Sequence, residues 1–243
     1  MRNIHFITFA NTTSTFNLKR ILDEAKNANC FATITGYTEK DFDSDYVKLC
    51  GDRFERFPRG YGYWSWKSYV IKKRLSEIDE GDFLIYADCG CTIKKENMDT
   101  LDFWLSKINE TGMFSPGYMP DNIEVKWNKG DLVDFINKKY NKNYNLLAND
   151  NTGQINASVI IIKKNTTSVN IIDDWYDICN NHFELINDSP SKLPNNRIFR
   201  EHRHDQAALS LIYKIYGVPY IPYKTDKGNH TNLAFIKETK IKK

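Results

Sequence analysis

The sequence predicts an α/β protein folded as one layered unit, and three observations carry that expectation. Short runs of β-branched and aromatic residues alternate with segments whose apolar residues recur every three or four positions. No Pro/Gly/Ser-rich linker and no internal repeat divides the 243 residues. The apolar runs are short and bounded, as buried strands are, and none is long enough to cross a membrane. A single domain over 1–243 is expected, with 236–243 a frayed basic tail.

The elements follow in order. Ile4 to Ala10 is rich in β-formers and reads as a first strand; a secretory leader needs a longer apolar segment and a small-residue cleavage site. Asn17 to Ala28 carries Leu18, Ile21, Leu22 and Ala25 on one helical stripe. Phe31 to Thr35 supplies a second strand, and an irregular stretch runs through Asp52. Gly60-Tyr61-Gly62 then turns the chain into a helix. There Trp64, Ser68, Ile71, Leu75 and Ile78 recur at spacings of four and three, so Trp64 is expected in the core.

Phe83 to Ala87 is the next apolar strand, and it ends at Asp88. Met98, Leu101, Leu105 and Ile108 mark a helix, and Asp131 is expected to cap another containing Leu132, Phe135 and Ile136. Asn156 to Ile162 reads as a strand covered on both faces. Val169, Ile172, Tyr176 and Cys179 mark a further helix. Asp205 opens the last, with Ala208, Leu209, Ile212 and Ile215 on its apolar side.

Composition narrows the classes of function. Net charge is +3 with 27% charged residues, so the chain is neither a polyelectrolyte nor a strong nucleic-acid magnet. The five cysteines are odd in number and show no zinc-type spacing, which predicts reduced thiols in a cytoplasmic protein. Asn-x-Ser/Thr triplets such as Asn165-Thr166-Thr167 then carry no meaning as glycan acceptors. The basic end, Lys237 to Lys243, reads as a solvated tail with weak affinity for an anionic membrane surface.

Four segments are candidates for chemistry. Asp88 stands where an apolar strand meets a glycine-bearing turn, the end of an α/β sheet where ligands bind. The same residue would also serve an Asx-turn. In Arg59-Gly60-Tyr61-Gly62-Tyr63-Trp64-Ser65-Trp66-Lys67, two glycines would let backbone N–H groups approach a phosphate. Arg59 and Lys67 would add charge there, and aromatic residues including Tyr63 and Trp66 would stack on a base or sugar. His202-Arg203-His204-Asp205-Gln206 is a dense polar cluster ahead of a helix, where Asp205 is also an expected cap. His230 lies in a polar segment near the C-terminus.

Taken in order and spacing, Gly60-Tyr61-Gly62-Tyr63-Trp64-Ser65-Trp66-Lys67, Asp82-Phe83-Leu84-Ile85-Tyr86-Ala87-Asp88-Cys89-Gly90 and His202-Arg203-His204-Asp205-Gln206 resemble the GT-A-type glycosyltransferases. More narrowly, they are similar to capsule and lipopolysaccharide sugar-transferase homologues of bacteria and large viruses. The resemblance covers residues 1 to 220. It implies a GT-A-like (Rossmann-like) α/β/α sandwich with one mixed, mostly parallel central sheet. It also implies a nucleotide-sugar donor, a UDP-sugar first among them, and a glycan, lipid-linked or protein hydroxyl as acceptor, with no nucleic-acid partner.

In that resemblance Asp88 falls at the family's DxD position, which touches ribose and diphosphate through a divalent cation (Mn or Mg). Gly90 stands where the second acid belongs, so the metal ligands would be Asp88 and His230 with the diphosphate and water, or else Arg59 and Lys67 would neutralise the leaving diphosphate without a metal. Asp88, Arg59, Lys67, Tyr63 and Trp66 are then the expected donor contacts. Gln154 and Asn156 are expected to bind sugar hydroxyls. Asp205 is expected near the anomeric centre, as base or donor contact, with His204 a competing base. Two other classes fit the residues: a nucleotidyltransferase acting on a sugar phosphate, and a non-catalytic carbohydrate- or nucleic-acid-binding module.

Overall fold

A computed structural model of the chain describes residues 2–142, 152–222 and 235–238. The first third of the chain holds β1 (Ile4–Phe9), α1 (Thr15–Ala28), β2 (Thr33–Tyr37), α2 (Ser44–Cys50), the single turns α3 (Arg53–Arg56) and α4 (Gly60–Tyr63), and α5 (Trp66–Glu77). The middle holds β3 (Phe83–Ala87), β4 (Cys91–Ile93), α6 (Met98–Ser106), β5 (Met113–Ile123) and α7 (Gly130–Lys139). The last third holds β6 (Gly153–Ile155), β7 (Val159–Lys163), α8 (Thr166–Tyr176), α9 (His204–Tyr216), β8 (Tyr220–Pro222) and β9 (Ile236–Glu238).

Seven strands form one sheet in the order β2-β1-β3-β7-β5-β6, with β8 also paired to β5. The pairings β1–β2, β1–β3 and β5–β8 are parallel, while β7 is antiparallel to both β3 and β5, and β6 to β5. Of the seven, only β6 and β7 therefore run against the rest. The sheet is mixed and mostly parallel in strand direction, as expected.

Both faces of this sheet are covered, and that is why its central strands read as unbroken apolar runs. Side chains alternate across the pleat. Leu84, Tyr86, Ile160 and Ile162 enter a core shared with α5, α8 and α9, including Ile71, Trp175 and Leu209. Phe83, Ile85, Ala87 and Ile161 enter a second core with Ile21 and Ala25 of α1 and Leu101 and Trp104 of α6. The result is helix–sheet–helix layering.

The structure departs from the sequence reading in places that matter for the site. Ile236–Glu238 is not tail: β9 pairs antiparallel with β4, because Phe235 and Ile236 are apolar enough to bury there. Asp131 and Asp205 are not caps, since Lys129 and Arg203 hold the cap positions and both acids lie in the first helical turn. Asp131 accepts from Lys192 N and Leu193 N instead. Strand β5, which contains Pro116, Gly117 and Pro120, has a composition that argues against a strand, and its register is irregular between Met119 and Ile123.

Candidate active site

Opposed strand directions bring three chain ends to one edge of the sheet. β1 and β3 finish there at Phe9 and Ala87, and β7 begins there, with Val159 paired to Ala87. This is the edge where α/β sheets bind ligands. Asp88 follows β3 in a tight turn: its N–H donates to Ser158 O at 2.9 Å, and Cys91 N–H donates to Asp88 O at 2.8 Å. Arg20 of α1 clamps the turn from behind. Its Nη2 donates to Cys89 O (2.8 Å) and Cys91 O (2.7 Å), and its Nη1 pairs with Glu24 (2.7 Å).

Facing this turn is a segment with unusual backbone. Gly60, Tyr61, Gly62, Tyr63 and Trp64 have φ of 58°, 52°, 78°, 53° and 57°, a full left-handed turn. Three of the five are not glycine, and each such residue costs on the order of 1–2 kcal/mol. Aromatic contacts hold the turn: Tyr61 stacks on Phe54 at 4.5 Å, Tyr63 on His204 at 4.5 Å, and Trp66 on Phe9 at 3.9 Å. Trp66 Nε1 also donates to Gly60 O at 3.1 Å. A side chain at Gly60 would lie 2.4 Å from the Trp64 ring, so the glycine is required sterically as well as conformationally.

The expected phosphate cradle is absent from this turn. Its N–H groups are consumed locally, from Tyr61 to Pro58 O, Gly62 to Phe57 O, Tyr63 to Arg59 O and Trp64 to Gly60 O. The glycines serve to aim Trp64 and Trp66. Trp64, expected in the core, is in fact half-buried at the surface of a hollow of about 250 Å³. Phe9, Trp64, Trp66, Asp88, Cys89, Gly90 and Cys91 line it. The strand-end aspartate and the glycine–tryptophan segment, more than twenty residues apart in sequence, thus share one cavity.

Behind Asp88 lies Lys67, in the first turn of α5 and only 3% exposed. Its ammonium meets Asp88 Oδ1 at 2.9 Å, Ala157 O at 3.2 Å and Asp205 Oδ2 at 3.5 Å. Tyr86 OH donates to the same Asp88 oxygen at 2.7 Å. Among the described residues, no donor reaches Asp88 Oδ2, and the side chain is about one-third exposed. Burial pulls the Lys67 ammonium down, yet Asp88 and Asp205 together outweigh it and hold the pKa above the ordinary lysine range. For Asp205 burial wins: it pushes the carboxyl up to about 6, against the pull of Lys67 and with the push of Asp88.

Asp205 is 3% exposed, and among the described residues its link to the hollow runs through Lys67. The backbone around it is fixed, because Trp175 Nε1 donates to Asp205 O at 2.9 Å. Lys67 itself pairs with two carboxylates and a carbonyl and does not line the hollow. His204 is no nearer. It is 2% exposed, hydrogen-bonds Ile186 O through Nδ1 at 2.8 Å and props the left-handed turn; burial lowers its pKa.

Other expected contacts also lie away from the hollow. Tyr63 is buried against Phe57, Phe183 and His204. Arg59 pairs with Asp188 at 3.4 Å and Glu201 at 3.8 Å. Gln154 is fully buried, donating to Glu124 Oε1 (3.2 Å) and accepting from Gln206 Nε2 (2.6 Å). Asn156 Oδ1 accepts from Ser158 N at 2.5 Å and so braces the segment that receives the Asp88 turn. None of these side chains lines the hollow. His230 lies outside the described residues. Of the expected donor contacts, Asp88 and Trp66 line the hollow.

Sequence reasoning missed Arg20 and Phe9. Phe9 ends an apolar strand and carries no polar signal. Arg20 sits on a helix whose stripe gives no hint of a turn about seventy residues away. The clamp makes a prediction: Arg20→Met should loosen the Asp88–Cys91 turn and lower ligand binding or turnover at the hollow by up to about 10²-fold. Arg20→Lys, which keeps charge without the two-pronged geometry, should recover little of it. Unchanged kinetics in Arg20→Met would remove the clamp from function.

The layering and strand order are those of a GT-A-like α/β/α fold, and one solved structure shares that fold at a TM-score of 0.52. The bifunctional glycosyltransferase WbbM superposes on 90% of this chain and 38% of its own, with 8% identity and a TM-score of 0.52. This chain therefore spans well under half of that protein. Mouse xyloside xylosyltransferase 1 aligns over 98% of both chains at 8% identity and a TM-score of 0.46. A glycosyltransferase involved in glycosylation of the major capsid of PBCV-1 aligns over 91% of this chain and 81% of its own, at 10% and 0.44. At these identities the likeness is one of fold. No protein-family model and no curated protein sequence matches the chain. Among the described residues, no helix is long and apolar enough to cross a membrane.

Proposed function

We propose that the chain is a glycosyltransferase. It takes a sugar from a nucleoside-diphosphate donor, a UDP-sugar being the first candidate, and passes it to a hydroxyl of a glycan, lipid-linked or protein acceptor. One observation carries the reading: the Lys67–Asp88–Asp205 cluster stands at the back of a tryptophan-lined hollow on the ligand-binding edge of the sheet. Fold likeness raises its plausibility without assigning donor or acceptor.

Glycosyl transfer breaks the bond from the anomeric carbon to the diphosphate. Positive charge grows on the sugar and negative charge on the leaving group. Asp88, with Oδ2 open, accepts hydroxyl protons of the donor and holds it by the ribose or sugar. The Trp64 and Trp66 rings supply flat faces for base or sugar. Lys67 offsets the charge of Asp88, so that the anionic donor can approach a carboxylate-bearing hollow. Asp205 is a positioning residue, since it acts on substrate by holding Lys67.

A screen of nucleoside-diphosphate sugars for release of the free diphosphate tests this reading. Turnover of one donor is the expected result, and stimulation by a nucleoside triphosphate with a sugar phosphate would instead indicate nucleotidyl transfer. The pH profile adds a sharper test. Asp205 should lose its proton near pH 6, so kcat/KM should fall below that pH as its hold on Lys67 weakens. Because this carboxyl holds its proton more tightly folded than unfolded, its own contribution to stability is complete below the ordinary carboxylate range. That contribution is lost as pH rises through about 6. Asp205→Asn should remove both effects and lower turnover at neutral pH by on the order of tenfold. An acid limb that persists in the variant would take Asp205 out of the account.

A divalent cation is implied by the resemblance, and the described residues of the hollow do not by themselves fit one; His230, the other expected ligand, lies outside them. Among the described residues there is no group of three side chains able to hold a metal. The hollow offers a single carboxylate oxygen, Asp88 Oδ2, and the other oxygen of that group already faces an ammonium at 2.9 Å. Gly90 supplies no ligand side chain. No step of the mechanism is routed through a metal.

A further inference from the structure

We infer that Lys67 is a built-in cation of this site, so that the donor's diphosphate binds without a divalent metal. The inference rests on the donor site proposed above and concerns how its charge is balanced.

Two carboxylates from distant parts of the chain, Asp88 after β3 and Asp205 at the start of α9, converge on one point. Hard divalent cations are held by oxygen sets of this kind. Here that point is filled by the Lys67 ammonium, 2.9 Å from one carboxylate and 3.5 Å from the other, with Ala157 O at 3.2 Å as third partner. An ammonium has three protons and no acceptor capacity. Lys67 donates to Ala157 O and stands in ion-pair range of both carboxylates, and its stem is sealed in the interior at 3% exposure. The ammonium cannot swing aside to admit an ion without leaving its own charge buried and without the two carboxylates and the carbonyl that now partner it.

The surrounding chain is arranged to keep the ammonium there. Trp64 O accepts from Lys67 N at 2.9 Å, tying the residue to the left-handed turn. Gln206 Oε1 accepts from Ala157 N at 3.4 Å, and Gln206 Nε2 donates to Gln154, which Glu124 holds in turn. The carbonyl that faces Lys67 is thereby fixed through a buried chain of side chains. A metal-binding site would need the opposite arrangement: open carboxylates, and water or further oxygens to fill six or more positions. The hollow has room for a ligand and little anionic capacity left for an ion.

The test uses the wild-type protein and two measurements. Calorimetric titration with UDP, and with GDP, ADP and CDP as companions, is run in excess EDTA and again in millimolar MnCl2. The account expects one nucleoside diphosphate to bind with an affinity that differs by less than about tenfold between the two conditions. Paramagnetic-resonance titration of the free protein with MnCl2 should show no stoichiometric site. Tightening by tenfold or more in manganese, or a bound manganese signal that Asp88→Asn removes, would overturn the inference and leave the donor-site reading standing. Failure of every nucleoside diphosphate to bind in either condition would instead overturn the donor site, and the inference with it.

Discussion

Asp88→Asn is expected to lower donor turnover by about 10²–10³-fold while the fold survives, the effect of removing one preorganised electrostatic contact at a reacting centre. Asparagine keeps the shape of the residue, and its carbonyl oxygen can still accept from Tyr86 OH, which lies 2.7 Å from Asp88 Oδ1 in the native protein. What it loses is the charge opposite Lys67 and the open acceptor at Oδ2. A neutral amide presents a donor there, which repels donor hydroxyl hydrogens and leaves Asp205 as the one carboxylate paired with the ammonium beside Ala157 O. Steady-state kinetics beside a thermal melt separate the two consequences. Loss of turnover with a melting point within a few degrees of native is the expected pair of results, whereas full turnover would place the chemistry elsewhere.

The second large effect falls on stability. Lys67→Met removes the cation between two carboxylates, and among the described residues Asp205 Oδ2 has no hydrogen-bond donor, only that ammonium at 3.5 Å. Breaking a buried ion cluster on one side costs about 3–5 kcal/mol, because the remaining charge is uncompensated. For a chain of this size that corresponds to a fall in melting temperature of roughly 6–20 °C. Methionine matches the lysine stem in bulk, so the loss reports charge and not packing. Adding Asp205→Asn to Lys67→Met should recover part of the stability, since the variant then has one less buried carboxylate to neutralise. A double variant no more stable than Lys67→Met would show that the cluster is not coupled as described.

Much of this site was legible in the sequence. The apolar run Phe83 to Ala87 ending at an aspartate located the carboxyl edge of a central strand. The aromatic Gly60–Trp66 segment and the polar cluster before α9 were marked as its partners. What could not be read was which side chains turn outward. Lys67 looked like a phosphate ligand because no local pattern shows that its helix packs beneath Asp88, and Asp205 looked like a cap because it precedes an apolar stripe. The glycines at 60 and 62 suggested a phosphate cradle, and only the backbone angles reveal a left-handed turn. Gln154 and Asn156 follow the same logic, since polar residues beside a buried strand can face inward when partners such as Glu124 and Ser158 wait there. The strand β9 was hidden because it pairs with β4 across nearly a hundred and fifty residues of sequence.

A crystal structure of the complex with the nucleoside-diphosphate sugar that the turnover screen selects tests the central claim most directly. The account predicts the diphosphate and sugar in the hollow between the Asp88–Cys91 turn and Trp64–Trp66, with a donor hydroxyl hydrogen-bonded to Asp88 Oδ2 and Lys67 still beneath it. A donor seated elsewhere on the molecule, with that hollow filled only by water, would contradict it.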